Sequence, residues 1–301
     1  MRIIRLDQII DIVKEKQPKR LVVAYANDEH SIEAVATATK LGFVQPILTG
    51  DATVIRQTCE KLGIDEKIFQ VIDEKDEMKC GYLAVELINK GEADVLMKGL
   101  LSTDKYMRAI LDKEKGLLPP KAILSHVTIL EVPSYHKLLT VSDVAIIPAP
   151  DLQQKIAITN YVIDVAHTLG IDYPKVALIA ATEQMSAGMQ ACVDAAIISK
   201  MADRKQIKNA IVDGPLALDV AIDKESAQIK KLESPVAGDA DCLVFPNLES
   251  ANVFFKTCTK FLHAELAAVV VGAKAPAVLT SRGDSSKTKT YSIALACLLA
   301  K

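Results

Sequence analysis

The chain has 301 residues, of which 50% are hydrophobic and 25% charged, with a formal net charge of −2. There is no basic excess to hold a nucleic-acid backbone. No apolar run approaches the ~20 residues a membrane helix needs. Trp is absent and aromatics are scarce, so the core must be aliphatic, which suits helices packed on a buried parallel sheet. Six well-separated cysteines without a CxxC pair read as small buried residues in a reducing, cytoplasmic compartment.

Residues 1–14 read as a short charged amphipathic helix without the apolar stretch of a signal peptide. A strand at 20–26 leads into a helix at 28–41. The short strand 46–48 precedes a helix at 51–62, and 68–72 precedes a helix at 76–90. The run 93–97 leads through Lys98-Gly99 into a helix at 102–111. This alternation predicts a parallel α/β sheet. The pattern changes at 126–132, 138–141 and 144–147, three close runs punctuated by Pro133 and Pro148, which read as an antiparallel insertion or a crossing between domains. A boundary is expected near Pro148. Alternation then resumes, with helices at 151–169, 187–200, 247–263 and 285–299. Strands are expected at 176–180, 210–212, 242–245, 266–271 and 277–280.

Several familiar chemistries lack their motifs. No GxGxxG or GxxxxGK[ST] supports a dinucleotide or nucleotide P-loop. The histidines show no HExxH or other paired metal-ligand spacing, and no GxSxG elbow marks a serine hydrolase. Four polar segments remain, each at the C-terminal end of a predicted strand, where open α/β sheets bind ligands. In the first, Gly99 permits a tight turn, while Ser102 and Thr103 open a helix whose amides can hold an anion. Lys98 adds charge there, and Arg108 can offer a planar fork. The second is Asp213-Gly214-Pro215, read as a turn with Asp213 at a strand tip, followed by Asp219. The third is a helix start capped by Asn247, with Ser250 and Asn252 as candidate ligand contacts. The fourth runs Thr280-Ser281-Arg282-Gly283-Asp284 into the last helix, placing a hydroxyl, a guanidinium and a carboxylate at a helix mouth. Singly, each segment reads equally well as a capped helix or a turn.

Taken in order, KGLLST with Arg108, DGPLALD, FPNLESANVFFK and TSRGDSSKTKTYSIALA resemble the phosphate acetyl/butyryltransferase family over nearly the whole chain. The short length and the TSRGDSSKTKTYSIALA tail are more similar to the butyryl branch. The resemblance implies a two-domain α/β fold like that of the isocitrate and isopropylmalate dehydrogenases, with the active site in a cleft between domains. Those domains would be 1–148 with 281–301, and 149–280. It also implies a homodimer and the reaction butyryl-CoA plus phosphate giving butyryl phosphate plus CoA, by direct attack in a ternary complex. Coenzyme A would be a substrate, with no metal or bound cofactor and no nucleic-acid or membrane partner.

By that resemblance Ser281 lies near the CoA sulfur, Arg282 holds the acyl phosphate, and Arg108 contacts phosphate or CoA. Lys98, Ser102, Thr103, Asp213, Ser250 and Asn252 complete the expected binding set. The acetyl branch carries an aspartate seven positions after the serine as a base for the thiol; here that position is Thr288. Asp284 is a nearer candidate for the base, and helix capping accounts for it equally well. The acetyl branch also has an arginine before the KG strand, where this chain has only Lys75, Lys79 and Lys90. Rival readings are an acetyltransferase, a silent CoA- or acyl-phosphate-binding module, and a metal- and NAD-dependent dehydrogenase using Asp213 and Asp219.

Overall fold

The computed structural model describes residues 2–280 and 283–301. In chain order the first part holds α1 (Leu6–Lys14), β1 (Lys19–Ala24), α2 (Glu29–Lys40), β2 (Val44–Gly50), α3 (Ala52–Leu62), β3 (Gln70–Asp73), α4 (Glu77–Asn89), β4 (Val95–Lys98) and α5 (Thr103–Leu111). The middle holds β5 (Ser125–Glu131), β6 (Leu139–Ser142), α6 (Leu152–Thr168), β7 (Lys175–Ile179), α7 (Gln190–Asp203), β8 (Ile211–Leu216), α8 (Leu218–Ile222), α9 (Lys224–Ile229), β9 (Cys242–Val244) and α10 (Leu248–Phe261). The last part holds β10 (Glu265–Val271), β11 (Ala277–Val278) and α11 (Ser286–Leu299). No helix among the described residues is long and apolar enough to cross a membrane.

Two compact units result. The first comprises Leu6–Leu124 and Leu266–Lys301; the second comprises Ser125–Glu265 and residues 2–5. In the first unit the strands lie in the order β3-β2-β1-β4-β11-β10. All but β10 run parallel, with Val22 opposite Ile47 on one side and Leu96 on the other. Leu21, Val22, Val23, Leu96 and Met97 are wholly buried, as strands covered on both faces require. Each such side chain contributes about 1.5–3 kcal/mol by leaving water. Asp28, Asp51, Asp76 and Ser102 accept first-turn amides of α2, α3, α4 and α5, which is why those helices start where the capping residues stand. Helix α3 stops at Gly63, whose left-handed φ of 65° closes the last turn. Helix α11 packs on α2 and α1.

In the second unit the order is β5-β6-β9-β7-β8. Strands β5 and β6 are antiparallel, while β6, β9, β7 and β8 are parallel. Helix α6 begins with a reciprocal cap between Asp151 and Gln154, immediately after Pro150.

The structure departs from the sequence reading in four places. The divisions fall at 124/125 and 265/266, not at 148 and 280, because β6 pairs with β9 (Thr140 opposite Cys242) and so carries β5 with it into the second unit. Residues 144–147 are not a strand: the amides of Ala145 and Ile146, needed for a ladder, donate to the Asp143 carboxylate at 2.8 Å each. Asp213-Gly214-Pro215 is no turn but the middle of β8. There the backbone passes so close to β7 that a Cβ on Gly214 would lie 2.6 Å from Leu178 Cβ. Helices α8 and α9, and the antiparallel direction of β10, were not anticipated.

Candidate functional site

Strands β1, β4 and β11 are adjacent and parallel, so their C-terminal ends share one edge of the first unit. Each end hands the chain to a helix start, capped by Asp28, Ser102 and Ser285 respectively. A side-chain cap satisfies one of the four amides that a helix leaves without an intrahelical partner, and every such start carries partial positive charge. Lys98, the last residue of β4, is 4% exposed, and its ammonium donates to the Gly99 carbonyl at 3.2 Å. Gly99 is needed because the turn runs against the Tyr25 backbone. Its amide donates to Ala24 O at 2.9 Å, the Leu100 amide donates to Tyr25 O at 2.8 Å, and a Cβ on Gly99 would lie 2.3 Å from Tyr25 O.

A second buried cation on this edge was missed in the sequence. Lys289, near the start of α11, is 3% exposed and donates to Thr280 Oγ1 at 3.3 Å. Burial pushes the Lys289 ammonium below its ordinary range, against the attraction of Asp28 and Asp284. One oxygen of Asp28 accepts the Ser31 amide at 2.9 Å; the other is buried and has no hydrogen bond among the described residues. In KTKTYS, Lys289 looks like a surface residue. The available signal was its spacing from Ile293 and Ala296, which places all three on one helix face; both partners are fully buried.

At α5 the structure adds a carboxylate. Glu77 accepts the Ser102 amide at 2.6 Å and pairs with Lys105, raising the Lys105 pKa. Thr103 is exposed in the first turn. Arg108 lies about 9 Å further along the helix axis, where it pairs with Asp104 at 2.9 Å with 65% of its side chain exposed. Asp284 is half-buried ahead of α11. The Thr288 hydroxyl, in the position of the acetyl-branch aspartate, accepts from Ser285 at 3.1 Å and belongs to the helix cap. Ser281 and Arg282 lie outside the described residues.

The remaining candidates belong to the second unit. Asp213 accepts from Ser199 Oγ at 3.3 Å and from the Gly214 amide at 2.8 Å, within β8. Asp219, on α8, pairs with Lys230, so the two aspartates have separate partners. Ser250 Oγ donates to Asn247 O, and the Asn252 amide donates to Val144 O at 2.9 Å. Asn252 thereby ties α10 to the loop after β6. That loop is organised by Asp143, another residue missed in the sequence, which collects Ser125 Oγ and the amides of His126, Ala145 and Ile146.

Neither the thiols nor the open groove of the first unit offers better chemistry. All six cysteines are buried, and burial pushes Cys80 and Cys258 up to about 11 and Cys297 to about 12, which disfavours the nucleophilic thiolate. A groove of about 830 Å³ along α4 mixes Glu74, Glu86, Asp112 and Glu114 with Lys79, Lys90 and Lys115, a balance that gives an anion no preference.

Parallel strands ending at capped helix starts define this as an α/β protein. The structure matches 4-hydroxythreonine-4-phosphate dehydrogenase from Klebsiella pneumoniae with a TM-score of 0.55 at 13% identity, covering 94% of this chain and 100% of that one. A branched-chain phosphotransacylase from Enterococcus faecalis V583 matches with a TM-score of 0.82 at 30% identity, over 94% and 100% of the two chains. In sequence, the phosphate butyryltransferase of Clostridium acetobutylicum is 45% identical, over 98% of this chain and 97% of its own. The phosphate acetyltransferase of Thermotoga maritima is 41% identical, over 98% and 99%. Residues 77–297 match the family described as "Phosphate acetyl/butaryl transferase". The chain belongs to that family, and it is an acyltransferase enzyme.

Proposed function

We propose that this enzyme moves a butyryl group reversibly between coenzyme A and inorganic phosphate, by direct attack within a ternary complex. The observation that carries the reading is the pair of buried lysine side chains, Lys98 and Lys289, on an edge where three helix starts emerge from adjacent strands. A buried cation such as the Lys98 ammonium attracts an anion strongly, because little water screens it. Phosphate or acyl phosphate is the anion that this family's chemistry supplies. The 45% identity to a phosphate butyryltransferase favours butyryl.

In one direction a phosphate oxygen attacks the thioester carbonyl and the sulfur leaves; in the other the thiol sulfur attacks the acyl phosphate. Both need an anion held beside a carbonyl and donors aimed at the tetrahedral oxyanion. Lys98 and the helix start at Ser102 and Thr103 hold the anion in this reading. Ser281 and Arg282 act on the reacting groups in this reading, and Asp284 is the carboxylate candidate for the base. Arg108 joins by exchanging Asp104 for phosphate, which costs little because an exposed i,i+4 pair is worth about 0.3–0.5 kcal/mol. Asp213, Ser250 and Asn252 complete the proposed substrate-binding set. The enzyme would work in the cytoplasm as a homodimer, with coenzyme A as substrate rather than as a resident cofactor and with no nucleic-acid partner.

The test is thiol release from butyryl-CoA with and without phosphate. Phosphate-dependent release is expected, and release that ignores phosphate would refute the reading. An acetyl preference is the second reading, favoured by the 41% identity to an acetyltransferase. One methylene in an apolar pocket changes kcat/KM by about 10–200-fold, so comparing acetyl-, butyryl- and isobutyryl-CoA separates the two.

A further inference from the structure

We propose that Lys289 is the catalytic residue that carries the proton between the CoA sulfur and the phosphate oxygen. The inference rests on the acyl-transfer reading and deepens it. Thr288 has no carboxylate to offer, and its hydroxyl is held by Ser285 in the cap of α11. The next residue is a buried amine, hydrogen-bonded to Thr280, the residue immediately before Ser281. A proton carrier at this edge of the first unit has to be held rigidly and away from bulk water, and a 3% exposed side chain anchored at 3.3 Å meets both conditions.

The chemistry also suits the thiol. An ordinary carboxylate, with a pKa near ~4, is mismatched by about four units with a thiol near ~8.5. An amine brought down from its ordinary range approaches the thiol, and matched acid and base strengths give the most effective transfer. Burial lowers Lys289, while Asp28 and Asp284 hold it up.

The surroundings of Lys289 come from every element packed on α11. Helix α2 contributes Asp28 at its cap, and the turn before α11 contributes Asp284. Strand β11 leads to Thr280, and β4 ends in Lys98. Helix α1 buries only the apolar residues Leu6, Ile9 and Val13. On α11 itself, Lys287 lies over the Tyr291 ring. Asp28 is placed to tune the amine, since its buried second oxygen has no hydrogen bond among the described residues.

The proton balance closes in both directions. From acyl phosphate, the S–H bond breaks and its proton passes to neutral Lys289 as the S–C bond forms. The C–O bond to phosphate then breaks, and Lys289 returns the proton to the departing phosphate oxygen. From the thioester, Lys289 takes the proton of hydrogen phosphate as its oxygen attacks, then gives it to the leaving sulfur.

The test is the pH–rate profile of the full-length enzyme in the butyryl-CoA and phosphate assay, for wild type, Lys289→Met, Lys289→Arg and Asp28→Asn. An inactive wild type would remove the acyl-transfer reading and this role with it; in an active enzyme the variants decide the role alone. Lys289→Met is expected to lower kcat about 10²–10⁴-fold, the usual contribution of a general acid–base, with KM changed only a few-fold. Lys289→Arg keeps the charge but cannot release its proton, so it is expected to stay low. Asp28→Asn preserves the helix cap and removes an attraction that raises Lys289. The limb of the profile belonging to the lysine should therefore move about 0.5–1 unit toward acid. Turnover of Lys289→Arg within three-fold of wild type would show that charge alone is needed and overturn the proposal. If Lys289→Met does not fold, an unmoved limb in Asp28→Asn overturns it independently.

Discussion

Glu77 accepts the backbone amide of Ser102 at 2.6 Å and holds the Lys105 ammonium with its other oxygen. A carboxylate from the first turn of α4 thus occupies the start of α5, where the sequence suggested that substrate anion would bind. It acts as a built-in anion that stabilises the helix start and lowers the positive potential of the site. Glu77→Gln keeps an acceptor for Ser102 and removes the charge. KM for phosphate should fall roughly two- to five-fold, the size of one partly screened charge. Steady-state kinetics at low ionic strength check this, and an unchanged KM would exclude Glu77 as a competitor.

Lys98 is expected to be the strongest single anchor for the anion. Lys98→Met keeps much of the buried volume and removes the ammonium, so folding should survive while kcat/KM for phosphate drops about 10²-fold. That is the loss usually seen when one preorganised donor to a developing charge is deleted. Near-normal kinetics in a folded Lys98→Met enzyme would place the anion elsewhere.

In the second unit, Lys155 of α6 and Asp194 of α7 form a buried pair at 2.6 Å, with Gln190 donating to the other carboxylate oxygen at 2.8 Å. Removing one partner leaves an uncompensated buried charge. Lys155→Met alone should cost about 3–5 kcal/mol, and Lys155→Met with Asp194→Leu should recover most of it. Urea denaturation of both variants measures the difference; equal losses would mean that the pair itself is what stabilises the helices.

Asp239 is the centre of a cluster with Lys137, Lys175 and His136. Burial disfavours its charge, but hydrogen bonds from Lys137 and Lys175 outweigh that and hold the carboxyl well below its usual range. Its folded pKa lies below the unfolded value near ~3.9. The unfolded chain therefore binds the extra proton, and the stabilisation is complete above about pH 4 and fades as pH falls further. Asp239→Asn should cost about 1–3 kcal/mol at pH 7, with the gap to wild type closing below about pH 4. A gap as wide at pH 3 as at pH 7 would contradict the electrostatic origin.

The sequence alone determined what depends on near neighbours. Capping residues such as Asp28, Asp76 and Ser102 act within three residues of themselves, and runs such as LVVA and VLM carry their strand preference locally. Hence the helix starts and the order of strands and helices around the first unit were legible. So was the placement of the polar segments that follow β4 and β9, and the order of all four segments carried the family resemblance. Contacts between distant residues were not legible. Residues 144–147 are apolar enough for a strand, and only Asp143, claiming their amides, makes them a loop. Arg108 has the right chemistry for phosphate, but its partner Asp104 decides its present charge balance. Lys289 shows the difference most sharply. A lysine in KTKTYS has no local reason to be buried, and only the packing of α11 against α2 and α1 removes it from water. Composition and periodicity specify which elements form, because those preferences are summed over a few residues. Which charges lose their water is decided by elements far apart in the chain meeting, and that is where the chemistry of this enzyme resides.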